Sequence, residues 1–138
     1  MKALLKLDPQ LLTIPAGDGL IGVSNRFSGR IFAELGGNLV HRFDAERAAA
    51  PRPGEFNNLG GNSLWPGPEG GDFAFNYLPG TGWLVQEEVS VKPTATLKTV
   101  PGEIAVGKHL KLRNRAGAEL ELAMRRRVRP LEVGELAA

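Results

Sequence analysis

Between Asn57 and Asp72 the chain gathers side chains suited to one kind of recognition: Asn58 and Asn62 carry planar amides, Trp65 a flat apolar indole, and Glu69 a carboxylate. A sugar ring has an apolar C–H face and a rim of hydroxyls, so an indole beside planar polar groups matches it. The glycines of this stretch permit positive φ and close backbone approach. Pro66 and Pro68 are expected to hold an extended path around Gly67. Each side chain also has a plainer role open to it. Trp65 can fill the core, as can Trp83 and Tyr77, and Glu69 can accept backbone N–H bonds from its own loop. As an acid or base Glu69 would need a partner, and Asp72 is the nearest.

Arg126 is the second residue of interest. Its neighbours Met124 and Val128 share its parity along a strand, which places a guanidinium on an apolar face. An unpaired charge there would cost several kcal/mol. A bulge that flips the register, or exposure at the strand end, is the favoured resolution. Pairing with a carboxylate such as Glu69, or reach into a ligand cleft, are the others. His41 shares the parity of Leu39 and Phe43 and reads as a core or edge histidine, while His109 reads as solvated. Two isolated histidines make a poor metal site, and no metal or other cofactor is expected.

The elements that would position these groups are strands. Gly (18) and Pro (10) punctuate the chain as short strands joined by turns require. Ile104, Val106, Leu110 and Leu112 alternate with polar residues, and so do Leu120, Leu122, Met124 and Val128. Asn114-Arg115-Ala116-Gly117 lies between the two runs, which predicts a β-hairpin with one apolar and one charged face. Shorter strands are predicted over 3–7, 11–14, 20–23, 29–35, 39–43, 85–91 and 95–100. Gly36-Gly37-Asn38 is a hairpin turn signal. Residues 45–55, with Pro51 and Pro53, read as a loop. The fold class is all-β, an antiparallel β-sandwich forming a single domain over 1–133, with 134–138 a frayed tail.

Composition narrows the function classes. The absence of cysteine excludes disulfides, thiolate metal sites and a cysteine nucleophile, and fits a reducing compartment. No apolar run approaches the roughly 20 residues of a membrane span, and the N-terminal one is broken by Lys6 and Asp8, so a cytoplasmic location and no membrane partner are expected. Net charge is +2, yet Lys108 to Arg129 holds eight Lys/Arg against Glu119 and Glu121. Without interleaved aromatics, this cluster reads as a solvated strand face, and no nucleic-acid partner is expected. There is no phosphate-binding loop, dinucleotide fingerprint or nucleophile elbow.

The segment Gly60-Gly61, Trp65-Pro66-Gly67-Pro68-Glu69-Gly70-Gly71 resembles the galactose-mutarotase-like superfamily of aldose epimerases and hexose-phosphate epimerases, and in particular a branch with a Trp-x-Gly-Pro-Glu-Gly-Gly motif. Ser28-Gly29-Arg30-Ile31 is similar to an early strand of that superfamily. Asn114-Arg115-Ala116-Gly117 and Arg127-Val128-Arg129 resemble the branch's turn and arginine strand. Leu59 stands where the epimerases often have a sugar-contacting arginine. The resemblance implies the N-terminal part of the supersandwich and a carbohydrate-binding protein without mutarotase activity by itself, since the superfamily's catalytic His and Glu lie largely in a later half. It implies a sugar or sugar phosphate bound through Asn58, Asn62, Trp65, Glu69 and Arg126. Any chemistry would be that of an aldose 1-epimerase-like isomerase. A homodimer, or a missing C-terminal half, would complete the sheets. The alternative is a non-catalytic interaction or assembly module.

Overall fold

The computed structural model describes residues 1–52, 55–76 and 82–136. The described chain is mostly β, with two antiparallel sheets. The first holds β1 (Leu12–Ala16), β2 (Gly19–Ser24), β3 (Arg30–Leu35) and β4 (Asn38–Leu39), in that order. The second holds β5 (Ala95–Val100), β6 (Glu103–Arg113) and β7 (Glu119–Val128). Tight turns set the registers. Gly36 and Gly37 both take positive φ, 54° and 78°, as a type I′ hairpin turn requires, and Leu35 faces Asn38 across it. The β6–β7 pairing runs unbroken from Ile104 opposite Val128 to Arg113 opposite Glu119, so the predicted hairpin stands with the predicted parity.

Three short helices replace predicted strands and loop. Residues 3–7, read as a strand, lie in α1 (Lys2–Leu7). Ala, Leu and Lys are strong helix formers, and Met1 and Leu4 bury on one face at helical rather than alternating spacing. The expected loop over 45–55 begins with α2 (Ala45–Ala49), capped by the Asp44 carboxylate, which accepts from Arg47 N–H at 2.9 Å. Residues 85–91, read as a strand, contain α3 (Glu87–Ser90), with Val85 and Val89 buried four residues apart. The strand expected over 39–43 shortens to β4, and Phe43 instead bridges Gly60. In the expected tail, Val133–Leu136 form a 3₁₀ turn tied by two bonds from the Arg129 guanidinium to Glu135, at 2.7 and 2.9 Å. Tyr77, Ala137 and Ala138 lie outside the described residues.

Among the described residues, three apolar clusters form where the strands' apolar faces meet each other, the helices and the loops. Leu20 and Phe32 on one face of the first sheet pack with α1, α2, Phe27 and Leu59. Ile14, Ile21, Val23 and Ile31 on the other face meet Ile104, Val106 and Val128 of the second sheet. The far half of that second sheet (Leu110, Leu112, Leu122 and Met124) is covered by Val85, Val89, Phe56, Leu64, Trp65 and Phe75. Of the irregular stretch that drew attention in the sequence, Leu59, Leu64 and Trp65 wall the core, while residues 67–72 are exposed.

Candidate functional site

The run from Leu59 to Asn62 threads between two pieces of backbone. Asp44 N–H donates to Leu59 O and Gly61 N–H to Arg42 O, each at 3.0 Å, while Ile31 and Asn62 exchange both backbone bonds, at 3.0 and 2.8 Å. Gly60 takes φ +82°, and a β-carbon there would lie 1.8 Å from Arg42 O, so only glycine fits.

Arg126 does not follow the favoured expectation. With no bulge between β6 and β7, its side chain stays on the inner face, half-buried. Its Nη1 donates to Gly29 O at 2.9 Å and Asn62 O at 3.0 Å, and its Nη2 donates to Asn62 Oδ1. The charge is met by carbonyl and amide dipoles, and among the described residues it has no carboxylate partner. Arg30, 3 % exposed, lies close by and donates to Gly60 O at 2.7 Å. Burial, and then the charges of Arg126 and Arg42, lower the Arg30 guanidinium to about 10, and burial likewise lowers Arg126. Two predicted residues, Asn62 and Arg126, are thus brought together. The other three are placed apart from them. The Asn58 side chain closes its own turn by accepting from Gly60 N–H at 3.2 Å. Glu69 is exposed, with no hydrogen bond or ion pair to another described residue, so it caps nothing there. The path around Gly67 includes a cis Gly67–Pro68 peptide.

Trp65 belongs to an aromatic cluster that sequence order conceals. Its ring lies 5.7 Å from Phe56 and 6.3 Å from Trp83, and Phe56 meets Trp83 edge-on at 4.9 Å. Trp83 is 45 % exposed, so the cluster shows one indole to solvent. Asn76, 5 % exposed, borders the same small pocket as Trp65. Among the described residues, neither end of the Asn76 amide, nor the Trp65 indole N–H, has a hydrogen-bond partner. The sequence reading missed Asn76, because nothing local marks an amide as buried and unpaired.

Two larger hollows lie elsewhere. One, of about 360 Å³, is lined by Arg52, Asn57, Gln86, Glu87, Lys92 and Lys111 among others, and the second, of about 850 Å³, by Asp8, Arg26, Thr94 and their neighbours. In the first, Asn57 and Gln86 spend their amides on backbone groups of Arg52, Glu55, Phe75 and Arg113. None of the five predicted site residues borders either hollow. His41 Nδ1 accepts from Ala33 N–H, and His109 is exposed. Among the described residues no group of three or more His, Asp or Glu side chains is placed to hold a metal, and no helix is long and apolar enough to cross a membrane.

Lys108, on β6, reaches from the sheet to the loops. Its ammonium donates to Ser28 Oγ, to Glu88 O and, at 2.9 Å, to Lys92 O. Burial pushes it down to about 8; Glu88 acts to raise it, and Arg30 and Lys92 to lower it further. The unfolded chain therefore holds a proton between pH 8 and 10.5 that the folded chain releases. Stability rises with pH through that window and is lost as pH falls through 8. The stability of wild type relative to Lys108→Met should rise across it by roughly 1–2 kcal/mol, after allowing for solvent screening of a partly exposed group. Urea unfolding of both proteins at several pH values checks this, and a flat difference would contradict it.

No protein-family model, no curated protein and no solved structure matches the chain.

Proposed function

We propose that this chain is a cytoplasmic carbohydrate-binding protein built on a mutarotase-like β-sandwich, and that it carries no mutarotase activity by itself. The observation that carries the reading is the conjunction at Trp65: an aromatic cluster with one indole exposed, beside a buried amide and an indole N–H that lack partners among the described residues. Aromatic faces take up the C–H side of a sugar ring, and unpaired donors and acceptors take up its polar substituents. The two-sheet core sharing Ile14, Val23, Ile104 and Val106 supports the sandwich. The motif around Trp65 supports the lineage. In this reading Asn62 and Arg126 stiffen the wall beside the site, with Asn62 exposed enough to meet a ligand hydroxyl. Glu69 is left as a surface carboxylate, and no acid–base pair is assigned.

Titration with glucose, galactose and their 6-phosphates, followed by tryptophan fluorescence, tests the proposal. Saturable quenching that is lost in Trp83→Ala is expected. The second reading, an assembly module, is favoured by β5, whose six residues are all exposed along a sheet edge. No response to any sugar, together with twice the chain mass in light scattering, would select it.

A further inference from the structure

The larger of the two hollows, of about 850 Å³, lies between the end of α1, the turn after β2 and the start of β5. Its size suits a small molecule, and it is open to solvent, so a ligand enters without any wall moving. Two opposite charges stand on its wall. Asp8, 4 % exposed, closes α1, its N–H donating to Leu4 O at 2.8 Å. Its Oδ2 accepts from Ser24 Oγ at 2.5 Å, and among the described residues nothing donates to Oδ1. An ionised carboxylate offers about four acceptor positions, so one bond leaves it short of donors. Arg26 Nη1 donates at 2.6 Å to Leu7 O, the carbonyl that precedes Asp8, and its guanidinium lies 5.6 Å from the centroid of the Phe27 ring. The two charges are thus set near each other. Yet among the described residues neither forms an ion pair, with the other or with a third group.

The rest of the lining narrows the ligand. Thr94 Oγ1 donates to Asn25 Oδ1 and Asn25 Nδ2 to Thr96 Oγ1, each at 2.7 Å, so this chain ends on a hydroxyl whose own hydrogen is left for a ligand. Pro9, Leu12 and Pro93 supply apolar surface, and no aromatic ring lines the hollow, so the stacking face that suits a sugar is missing. A neutral polyol would also leave both charges without a counter-charge, whereas a charged partner makes the stronger hydrogen bond to each. The ammonium and carboxylate of an α-amino acid sit on one carbon, which suits two protein charges that lie near each other without touching. We propose that this hollow binds a free α-amino acid, its ammonium on Asp8 Oδ1, its carboxylate on the Arg26 guanidinium and its side chain against the apolar surface. Neither Trp65, Trp83 nor Asn76 lines the hollow, so this site is separate from the proposed sugar site.

The test is a set of thermal melts of wild type with each common L-amino acid at pH 7. Calorimetric titration follows, with the amino acid that stabilises most, its decarboxylated amine and its deaminated acid. At least one amino acid should raise the melting temperature. The amine and the acid, which each keep one charge, should bind at least about tenfold more weakly than the parent. Arg26→Gln, at an exposed position, should weaken the amino acid at least about tenfold and leave binding of the amine unchanged. Asp8→Asn keeps an acceptor for Ser24 Oγ and should weaken amino acid and amine alike. If Asp8→Asn does not fold, Arg26→Gln decides by itself. No melting shift with any amino acid would overturn the proposal and leave the sugar reading standing. An amine or acid that binds as tightly as the parent would overturn it too, as would an Arg26→Gln protein that binds the amino acid like wild type.

Discussion

Gly60→Ala is expected to lower the unfolding free energy by about 3 kcal/mol or more. Two effects add. An alanine at φ +82° enters the left-handed region, which costs roughly 1–2 kcal/mol. Its β-carbon would also lie 1.8 Å from Arg42 O, and the contact is with backbone that cannot swing aside. The run must move away from Arg42, which breaks the Gly61–Arg42 hydrogen bond and the bridge to Phe43. Gly61 cannot shift to compensate freely, since its own Cα faces the Phe32 ring. Urea denaturation with a conserved m-value reads the loss. A change under about 1 kcal/mol would mean that the run is not pinned between Arg42 and Ile31.

Arg126→Ala should cost about 2–4 kcal/mol. Opposing effects meet here. Removing the guanidinium relieves Arg30, whose charge Arg126 disfavours. It also strips a charged donor from Gly29 O and from both oxygens of Asn62. Bonds from an ionised donor are each worth about 1.5–3 kcal/mol, whereas the repulsion Arg126 exerts on the buried Arg30 ranks behind burial among the effects on that group, so the loss prevails. Arg126→Lys should recover only part of it, because an ammonium lacks the planar fork that spans Gly29 and Asn62 together. Urea unfolding of both variants measures this. Equal stability of Arg126→Ala and wild type would remove the arginine as the clasp between β7 and the Gly60–Asn62 run.

The strands were more legible in the sequence than the helices, for a physical reason. Alternation over Ile104–Leu112 and Leu120–Val128 extends far enough to declare a period, and turns with glycine at obligatory positive φ close the hairpins. In α1 and α3 only about one turn is present, so two buried residues decide between helix and strand, and Leu4 or Val89 could serve either. The expected loop over 45–55 rested on Pro51 and Pro53, which lie beyond the end of α2 at Ala49. At the site, the parity of Arg126 rightly marked it as anomalous, and both Asn62 and Trp65 lay in the segment singled out. What the sequence could not convey was long-range: that Gly29 and Asn62 would converge on Arg126, that Phe56 and Trp83 would close around Trp65, and that Asn76 would be buried without partners among the described residues.

Nitrogen-15 NMR of the side chains looks straight at the atoms on which sugar recognition is argued. When glucose, galactose or one of their 6-phosphates is added, the indole resonance of Trp65 and the paired amide protons of Asn76 should move together along one saturation curve, while the side chains of the hollow beside Lys92 stay fixed. Stationary Trp65 and Asn76 signals at saturating sugar, or shifts confined to that hollow, would contradict the account.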